Sequence, residues 1–215
     1  MLTTVSPIDC HQVGRPRSED ADARILLAAI ELYGDAGWSG YNLTKVAQLA
    51  GVGKSSMYSR WTDKSLLLQD AFRVRVPVPT PTGTNVWDIL SEWAAFRVQM
   101  YLGPHSQAIR RVFVEMSTGE PTITALQDYL YTTPIAVLRS RIWEFKTNGY
   151  LPATTSVTRL IDGIEGSVLM RSFSIPPENV PCFLTEIPEY VEMLVADQLR
   201  APLRTGEIRL ARLAS

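Results

Sequence analysis

The segment NLTKVAQLAGVGKSSMYSRWTDK, residues 42–64, decides how the N-terminal part of the chain folds. Its apolar residues recur with helical spacing over residues 43–50. Asn42 precedes them as a predicted N-cap, because its side chain can accept the free N–H groups of a first turn. Gly51 follows at the position where a left-handed backbone ends a helix. The segment therefore predicts a short helix followed by a tight turn.

A second short helix is predicted over residues 54–60, with Met57 and Trp61 turned towards the protein. Its other side chains are polar or basic and are expected to point outward: Lys54, Ser55, Ser56, Ser59 and Arg60. A helix of this length is a rod of roughly 10 Å, which fits the major groove of B-DNA. The pattern is typical of a helix-turn-helix, whose second helix reads base edges, and an ordinary helical hairpin is the alternative.

A basic arm that contains Arg15 and Arg17 precedes the first helix, for which Ser18 is the predicted cap. The apolar stripe of that helix consists of Leu26, Ala29, Ile30 and Tyr33. Either the arm is a solvated terminus, or its two arginines contact phosphates and the minor groove, as arginine arms do in other helix-turn-helix proteins. The position of the arm next to residues 42–64 favours DNA contact.

A further helix is predicted after residue 62, with Thr62 as its cap and Lys64 close to its N-terminus. At a helix N-terminus a free N–H group and a lysine can share one phosphate. This position extends the candidate DNA-binding surface beyond the second helix.

Residues 22–72 resemble the DNA-binding domain of the TetR family of bacterial transcriptional regulators. The resemblance rests on RILLAAIELYGDAGW (residues 24–38) and LTKVAQLAGVGKSSMYSRWTDKSLLL (residues 43–68). Two positions depart from the family pattern: Gly53 stands where a capping serine is usual, and Trp61 stands where phenylalanine is usual.

The resemblance implies that Tyr58 and Lys64 hold phosphates and that Thr44 contacts the DNA backbone from the preceding helix. It also implies that the N-terminal half of the second helix faces the groove. The predicted DNA-binding residues are Arg15, Arg17, Asn42, Thr44, Lys45, Lys54, Ser55, Ser56, Tyr58, Ser59, Arg60 and Lys64.

Composition agrees with a folded protein that has a local basic region. Of the 215 residues, 46% are hydrophobic and 20% are charged, and the formal net charge is −1, so the chain as a whole is not a general polyanion binder. Residues 43–75, however, contain six basic and two acidic residues. Such local basicity is typical of a protein that recognises a specific DNA sequence.

The sequence predicts an all-α protein with five regions. These are a basic arm (1–17), a helix-turn-helix domain with a connecting helix (18–76), a proline-rich linker (77–84), a helical body for effector binding and dimerisation (85–205) and a tail (206–215). Further helices are predicted over residues 86–102, 106–118, 122–147, 156–173 and 188–200. Pro134 should kink or break the third of these, because it removes the hydrogen bond to the carbonyl of Leu130.

Aromatic and methionine residues are concentrated in the first helices of the body. They form either a packed core or the wall of an apolar cavity. Because proteins of the TetR family hold an effector among these helices, the resemblance implies a small apolar or aromatic effector. The predicted effector-binding residues are Trp87, Trp93, Phe96, Met100, Phe113, Met116, Tyr129 and Trp143.

Two later helices carry regular apolar stripes, and a single stripe of this kind is by default intramolecular core. The resemblance implies instead that the last two long helices pair with their copies in a homodimer. The predicted dimer-interface residues are Leu160, Ile161, Ile164, Val168, Val191, Leu194 and Val195. A dimer also suits half-sites about one helical turn apart.

Enzymatic residues are not apparent. Cys10 and Cys182 lack metal-ligand spacing, no catalytic constellation is present, and we expect no metal and no cofactor. Glu115 and Glu165 lie on apolar helices and are expected to pair with an arginine or a bound amine. With no signal peptide and no apolar run of about 18 residues, a cytoplasmic protein is expected.

The function predicted from the sequence is a ligand-responsive homodimeric repressor, bound to a palindromic operator and released by an effector. An activator or a ligand-independent regulator of the same fold is one alternative. A helical small-molecule-binding protein or an enzyme without DNA binding is the other.

Overall fold

The computed structural model describes residues 19–203, and this part of the chain is helical without β-strands, as predicted. Its α-helices are α1 (Glu19–Gly40), α2 (Leu43–Leu49), α3 (Lys54–Tyr58), α4 (Lys64–Arg75), α5 (Val86–Leu102), α6 (Ser106–Glu115), α7 (Pro121–Gln127), α8 (Thr133–Thr147), α9 (Val157–Ser174), α10 (Val180–Thr185) and α11 (Ile187–Leu203). Two 3₁₀ turns (Met116–Thr118 and Pro177–Asn179) and a π-helical turn (Asp128–Thr132) complete it.

Helices α1 to α4 form a unit around the apolar stripe of α1. Tyr33 of that stripe is fully buried and makes edge-to-face ring contacts with Tyr41 and Phe72, with ring centroids 6.4 and 6.0 Å apart. Met57 of α3 is also fully buried, whereas Trp61 is only half-buried. The Trp61 indole N–H donates to Asp70 at 3.0 Å, so this larger residue sits at the edge of the core.

The proline-rich linker predicted over residues 77–84 lies in a non-helical segment, residues 76–85, that connects α4 to α5 and is called the strap. The strap is fastened to the body by side chains at both ends. The Tyr129 hydroxyl donates to the carbonyl of Val76 at 3.0 Å, and Arg141 donates to the carbonyl of Gly83 at 3.3 Å. Because α1 packs directly against α6 and α4 packs against α7, the first helices also contact the body without the strap.

The helix predicted over residues 122–147 is interrupted by the π-helical turn just before Pro134. Pro134 has no N–H group, so the carbonyl of Leu130 lacks its usual helical donor. Arg97 of α5 supplies the missing hydrogen bond through Nη1 at 2.9 Å. The irregularity predicted at Pro134 takes the form of a π-helical turn with helical backbone on both sides, and a buried arginine from another helix stabilises it.

Helix α5 is the centre of the body and packs against α6, α9 and α11. No helix within residues 19–203 is long and apolar enough to cross a membrane.

Candidate DNA-binding face and effector region

The turn between α2 and α3 follows the predicted helix-turn-helix geometry. Asn42 caps α2, with its Oδ1 accepting from the Lys45 N–H at 2.9 Å. Gly51 has a φ of 62°, a left-handed backbone that favours glycine, and it ends the α2 segment. Gly53 precedes α3 without a side-chain cap, and α3 is shorter than predicted, ending at Tyr58. Local sequence therefore sets the sharp angle between the two helices.

The outward surface of α2 and α3 is polar. The predicted DNA-binding residues Thr44, Lys45, Lys54, Ser55, Tyr58 and Ser59 are all exposed. A shallow concavity of about 460 Å³ lies where the N-termini of α2 and α4 meet, and Thr44, Tyr58 and Lys64 are among its lining residues. Two helix N-termini and a lysine at one concavity form a natural environment for a phosphate.

Arg60 does not point outward, which corrects the sequence prediction. Its side chain is only 11% exposed and pairs with the carboxylate of Asp22 on α1. It also donates to the backbone carbonyl and hydroxyl of Ser56, at 2.9 and 2.6 Å. Arg60 thus joins the end of α3 to α1, and Ser56 is engaged with it. Local pattern analysis could not detect this pair, because 38 positions separate its members.

Lys64 is held by its own protein at the edge of the concavity. Its ammonium lies 3.7 Å from the centre of the Trp38 ring and donates to the carbonyls of Trp38 and Tyr41 at 3.3 and 3.4 Å. The cap of α4 is Asp63, whose carboxylate accepts from the Ser65 N–H at 2.6 Å, and not Thr62 as predicted. The Asp63 carboxylate stands directly before α4 and reaches its free N–H groups.

Arg15 and Arg17 lie outside the described residues, as do Cys10 and Ser18. Within residues 19–203 no group of three or more His, Cys, Asp or Glu side chains has the arrangement of a metal site.

A fully buried arginine, Arg97, occupies the centre of the body, and sequence analysis missed it. Its Nε donates to Glu165 Oε1 at 2.8 Å, and the same oxygen accepts from the Trp93 indole N–H at 2.6 Å. Its guanidinium lies 4.6 Å from the Trp93 ring centre and 5.1 Å from that of Tyr131. The expectation that Glu165 pairs with an arginine is confirmed.

Glu115 differs from its expected role, because no arginine within residues 19–203 donates a hydrogen bond to it. Its carboxylate accepts from the Tyr33 hydroxyl at 3.1 Å and from the Trp38 backbone N–H at 3.3 Å. Both partners belong to α1, so Glu115 joins the body to the first helical unit.

Comparison with known proteins shows similarity to bacterial transcriptional regulators. Residues 25–71 match the family model described as bacterial regulatory proteins, tetR family. An HTH-type transcriptional regulator of Bacillus subtilis, YdeS, is 37% identical over 82 residues, which span 36% of this chain and 41% of that protein. The matched segment is similar to the DNA-binding domain of the TetR family. The named relatives are HTH-type transcriptional regulators, and the match spans less than half the length of YdeS.

Similarity to known proteins extends beyond residues 25–71. Mb1581, an HTH-type transcriptional regulator of Mycobacterium bovis, is 26% identical over 163 residues, covering 74% of this chain and 79% of that protein. A crystal structure of a HlyIIR mutant has a TM-score of 0.64 at 17% identity, covering 86% and 98% of the two chains. FadR from Bacillus subtilis in complex with stearoyl-CoA has a TM-score of 0.55 at 15% identity, covering 82% and 97%. These structures show the shared fold.

The eight predicted effector-binding residues lie in different environments. Trp93 and Met100 are buried, whereas Trp87, Phe96, Phe113, Met116 and Tyr129 are half-buried. Tyr129 lines a cleft of about 270 Å³ beneath the strap, and Trp87 lines a groove of about 660 Å³ between α5 and α11. Trp143 is 46% exposed, with the Lys146 ammonium 4.7 Å from its ring centre, so it lies at the surface of α8.

All seven predicted dimer-interface residues are buried within one chain, so they belong to its intramolecular core. Leu160, Ile161, Ile164, Val168, Val191, Leu194 and Val195 are each at most 9% exposed. They lie on helices α9 and α11, both of which pack against α5. The large exposed apolar residues of these two helices are instead Met170, Phe173 and Met193.

Proposed function

We propose that this chain is a homodimeric repressor that binds a palindromic operator through α3 and is released by a small effector, acting in the cytoplasm on chromosomal DNA. The observation that carries the proposal is the exposed polar face of α3 beside the concavity at the N-termini of α2 and α4. A surface of this kind combines base readout with phosphate contact.

Each part of this surface has a proposed role. Lys54 and Ser55, at the N-terminus of α3, read base edges, because that end of a recognition helix enters the major groove. Thr44, Tyr58 and Lys64 hold one phosphate at the concavity. The arm with Arg15 and Arg17 adds phosphate or minor-groove contacts. Asn42 and Arg60, in contrast, support the fold of the reading unit.

The dimer interface is proposed on the exposed sides of α9 and α11. Gly166 has open space around its Cα, so a partner helix can approach closely there. Met170 and Phe173 follow on α9, and Met193 lies on α11, which packs against α9. Exposed apolar residues on two neighbouring helices are typical of an interface. Gel filtration with light scattering should give a dimer for the native chain and a monomer for Met170→Glu/Met193→Glu. Val114→Glu, at an exposed residue of α6, is the control.

The effector site is proposed around Arg97. Its Nη2 is buried without a hydrogen-bond partner in the described part of the chain. A buried N–H donor normally has a hydrogen-bond acceptor, which a ligand could provide here. Glu165 already neutralises Arg97, so a ligand carboxylate would leave a net negative charge in the interior. Burial raises the pKa of Tyr131, whose hydroxyl stays protonated and available beside the guanidinium. An aromatic ligand with a neutral oxygen acceptor fits these groups best.

The binding test uses a matched series of probes. We expect 2-acetylnaphthalene to quench the tryptophan fluorescence and to bind about five- to tenfold more tightly than 2-ethylnaphthalene, because only the ketone accepts a hydrogen bond. Tyr131→Phe should reduce that preference. Because the FadR of the comparison holds stearoyl-CoA, that compound is a further probe. If stearoyl-CoA bound and neither naphthalene did, the proposed effector class, an aromatic molecule with a neutral oxygen acceptor, would be wrong.

The DNA test is selection of duplexes from a random pool by the purified chain. The proposal predicts a palindromic sequence with half-sites about one helical turn or a multiple apart. A pool without enrichment after repeated rounds would overturn the proposal. A reporter behind the selected sequence then decides the sign of regulation: expression should rise when the gene is deleted, whereas a fall identifies an activator.

A further inference from the structure

Helix α1 is broken at Gly37, and the break separates two backbone groups that an unbroken helix would join. Gly37 has φ 63° and ψ −178°, outside the helical region. In a regular α-helix the N–H of Trp38 would donate to the carbonyl of Gly34, four residues earlier. The break therefore leaves a donor and an acceptor that need other partners.

Helix α6 provides both partners. Both carboxylate oxygens of Glu115 lie 3.3 Å from the Trp38 nitrogen. Arg111 donates to the Gly34 carbonyl through Nε and Nη2 at 3.3 and 3.4 Å, and to the Asp35 carbonyl at 3.3 Å. One missing helical hydrogen bond is thus replaced by two side chains of the body that lie one helical turn apart.

The contact between α1 and α6 leaves no space for larger residues at the break. A Cβ added at Gly37 would collide with Glu115 Oε1, and one at Gly34 would lie 3.1 Å from the Ala108 nitrogen. Burial, together with the neighbouring Glu115 carboxylate, raises the pKa of Tyr33, so its hydroxyl stays a donor to that carboxylate. Glu115 is held from two directions.

Trp38 extends this contact to the DNA-binding face. Its N–H is bound by Glu115, while its carbonyl and ring hold the Lys64 ammonium, at 3.3 Å and 3.7 Å from the carbonyl oxygen and ring centre. Lys64 lines the concavity with Thr44 and Tyr58. A single residue of α1 therefore lies between a carboxylate of the body and the lysine proposed to hold phosphate.

We propose that Arg111 and Glu115 form a clamp through which α6 positions Trp38 and Lys64 for DNA binding, and that this clamp couples the body to the DNA-binding face. The inference rests on the proposed DNA-binding function. Glu115 and Arg111 are positioning residues that do not contact DNA themselves. The route runs from α6 through α1 to the N-terminus of α4, without passing along the strap that follows α4.

The first test needs no DNA. Hydrogen exchange of the Trp38 amide is measured by NMR in the native chain, in Glu115→Ala and in Glu178→Ala, an exposed glutamate of the 3₁₀ turn after α9. Loss of the acceptor should accelerate Trp38 exchange about tenfold or more in Glu115→Ala alone. Circular dichroism confirms that the variant is folded. Unchanged exchange at Trp38 would overturn the clamp.

The second test is a double-mutant cycle on the duplex that the native chain selects. Glu115→Ala should weaken binding about 5- to 20-fold, within the usual range of coupling between sites. Because the clamp acts through Lys64, Glu115→Ala/Lys64→Ala should bind only slightly more weakly than Lys64→Ala. Glu115→Gln retains an acceptor oxygen and should recover most of the affinity. Strictly multiplicative losses would refute the coupling. If the native chain selects no duplex, the proposed function fails, and the exchange experiment still decides on the clamp.

Discussion

Replacing Arg97 with methionine should destabilise the protein strongly. Arg97 is fully buried, and methionine can occupy the space of its aliphatic stem without a donor. The substitution removes the hydrogen bonds to Glu165 and to the Leu130 carbonyl, at 2.8 and 2.9 Å. Pro134 cannot replace the second of these, since it has no N–H group.

The size of the destabilisation by Arg97→Met follows from the Glu165 carboxylate, which loses its cation. The Glu165 side chain, 16% exposed, keeps only the Trp93 N–H as a donor in place of a cation. Breaking a buried ion pair from one side costs about 3–5 kcal/mol. For a chain of this size that corresponds to a fall in melting temperature of roughly 6–20 °C. Glu165→Gln should cost a comparable amount, about 3–5 kcal/mol, because the fully buried Arg97 guanidinium keeps hydrogen-bond acceptors but loses its counter-charge.

Urea and thermal unfolding followed by circular dichroism measure these differences, at one fixed protein concentration because association changes the midpoint. Arg73→Met, at an exposed surface pair with Asp70, is the control and should change stability by less than about 1 kcal/mol. In the Arg97→Met background, Pro134→Ala restores an N–H group near Leu130 and should recover part of the loss. A loss below about 1 kcal/mol for Arg97→Met would refute the structural role of the guanidinium.

Three further predictions concern other parts of the molecule. Arg60→Ala and Asp22→Ala should each reduce stability by about 1–2 kcal/mol, and the double variant should lose little more in urea unfolding; additive losses would mean that the two residues do not interact. Burial and the nearby Arg75 lower the pKa of His105 from its ordinary value of 6.5, although Glu31 opposes them. The unfolded chain therefore takes up the proton more readily, so stability should fall as pH drops through about 6.5, and His105→Gln should flatten that part of the stability profile. Ser55→Ala should change which bases are preferred at one position of each selected half-site, as repeated selection with the variant would reveal; an unchanged preference would remove Ser55 from the reading surface.

The features that the sequence predicted well depend on neighbouring residues. The Asn42 cap and the Gly51 turn follow from side-chain reach and backbone conformation within a few positions. The irregularity before Pro134 likewise follows from one missing N–H group. These local rules were sufficient for the all-α fold and for the helix-turn-helix.

The features that the sequence did not predict depend on residues far apart in the chain. The partners Arg60 and Asp22 meet only after α1 and α3 have packed, and Arg97 meets the Leu130 carbonyl only after the π-helical turn has formed. The stripe that contains Leu160 was correctly expected to be buried. Its partner was not predictable, because periodicity shows that a face is covered but not whether α5 or a second chain covers it.

The DNA-binding role of α3 and the adjoining concavity is tested most directly by comparing affinity and its salt dependence in Lys54→Ala, Lys64→Ala and the control Arg73→Ala. On the selected duplex and a scrambled one, Lys54→Ala should mainly lose discrimination, by about 1–3 kcal/mol. Lys64→Ala should weaken binding to both duplexes and reduce the slope of log affinity against log salt by about one for each phosphate that the variant no longer neutralises. Native affinity, discrimination and salt slope in both variants would contradict the assignment of this surface.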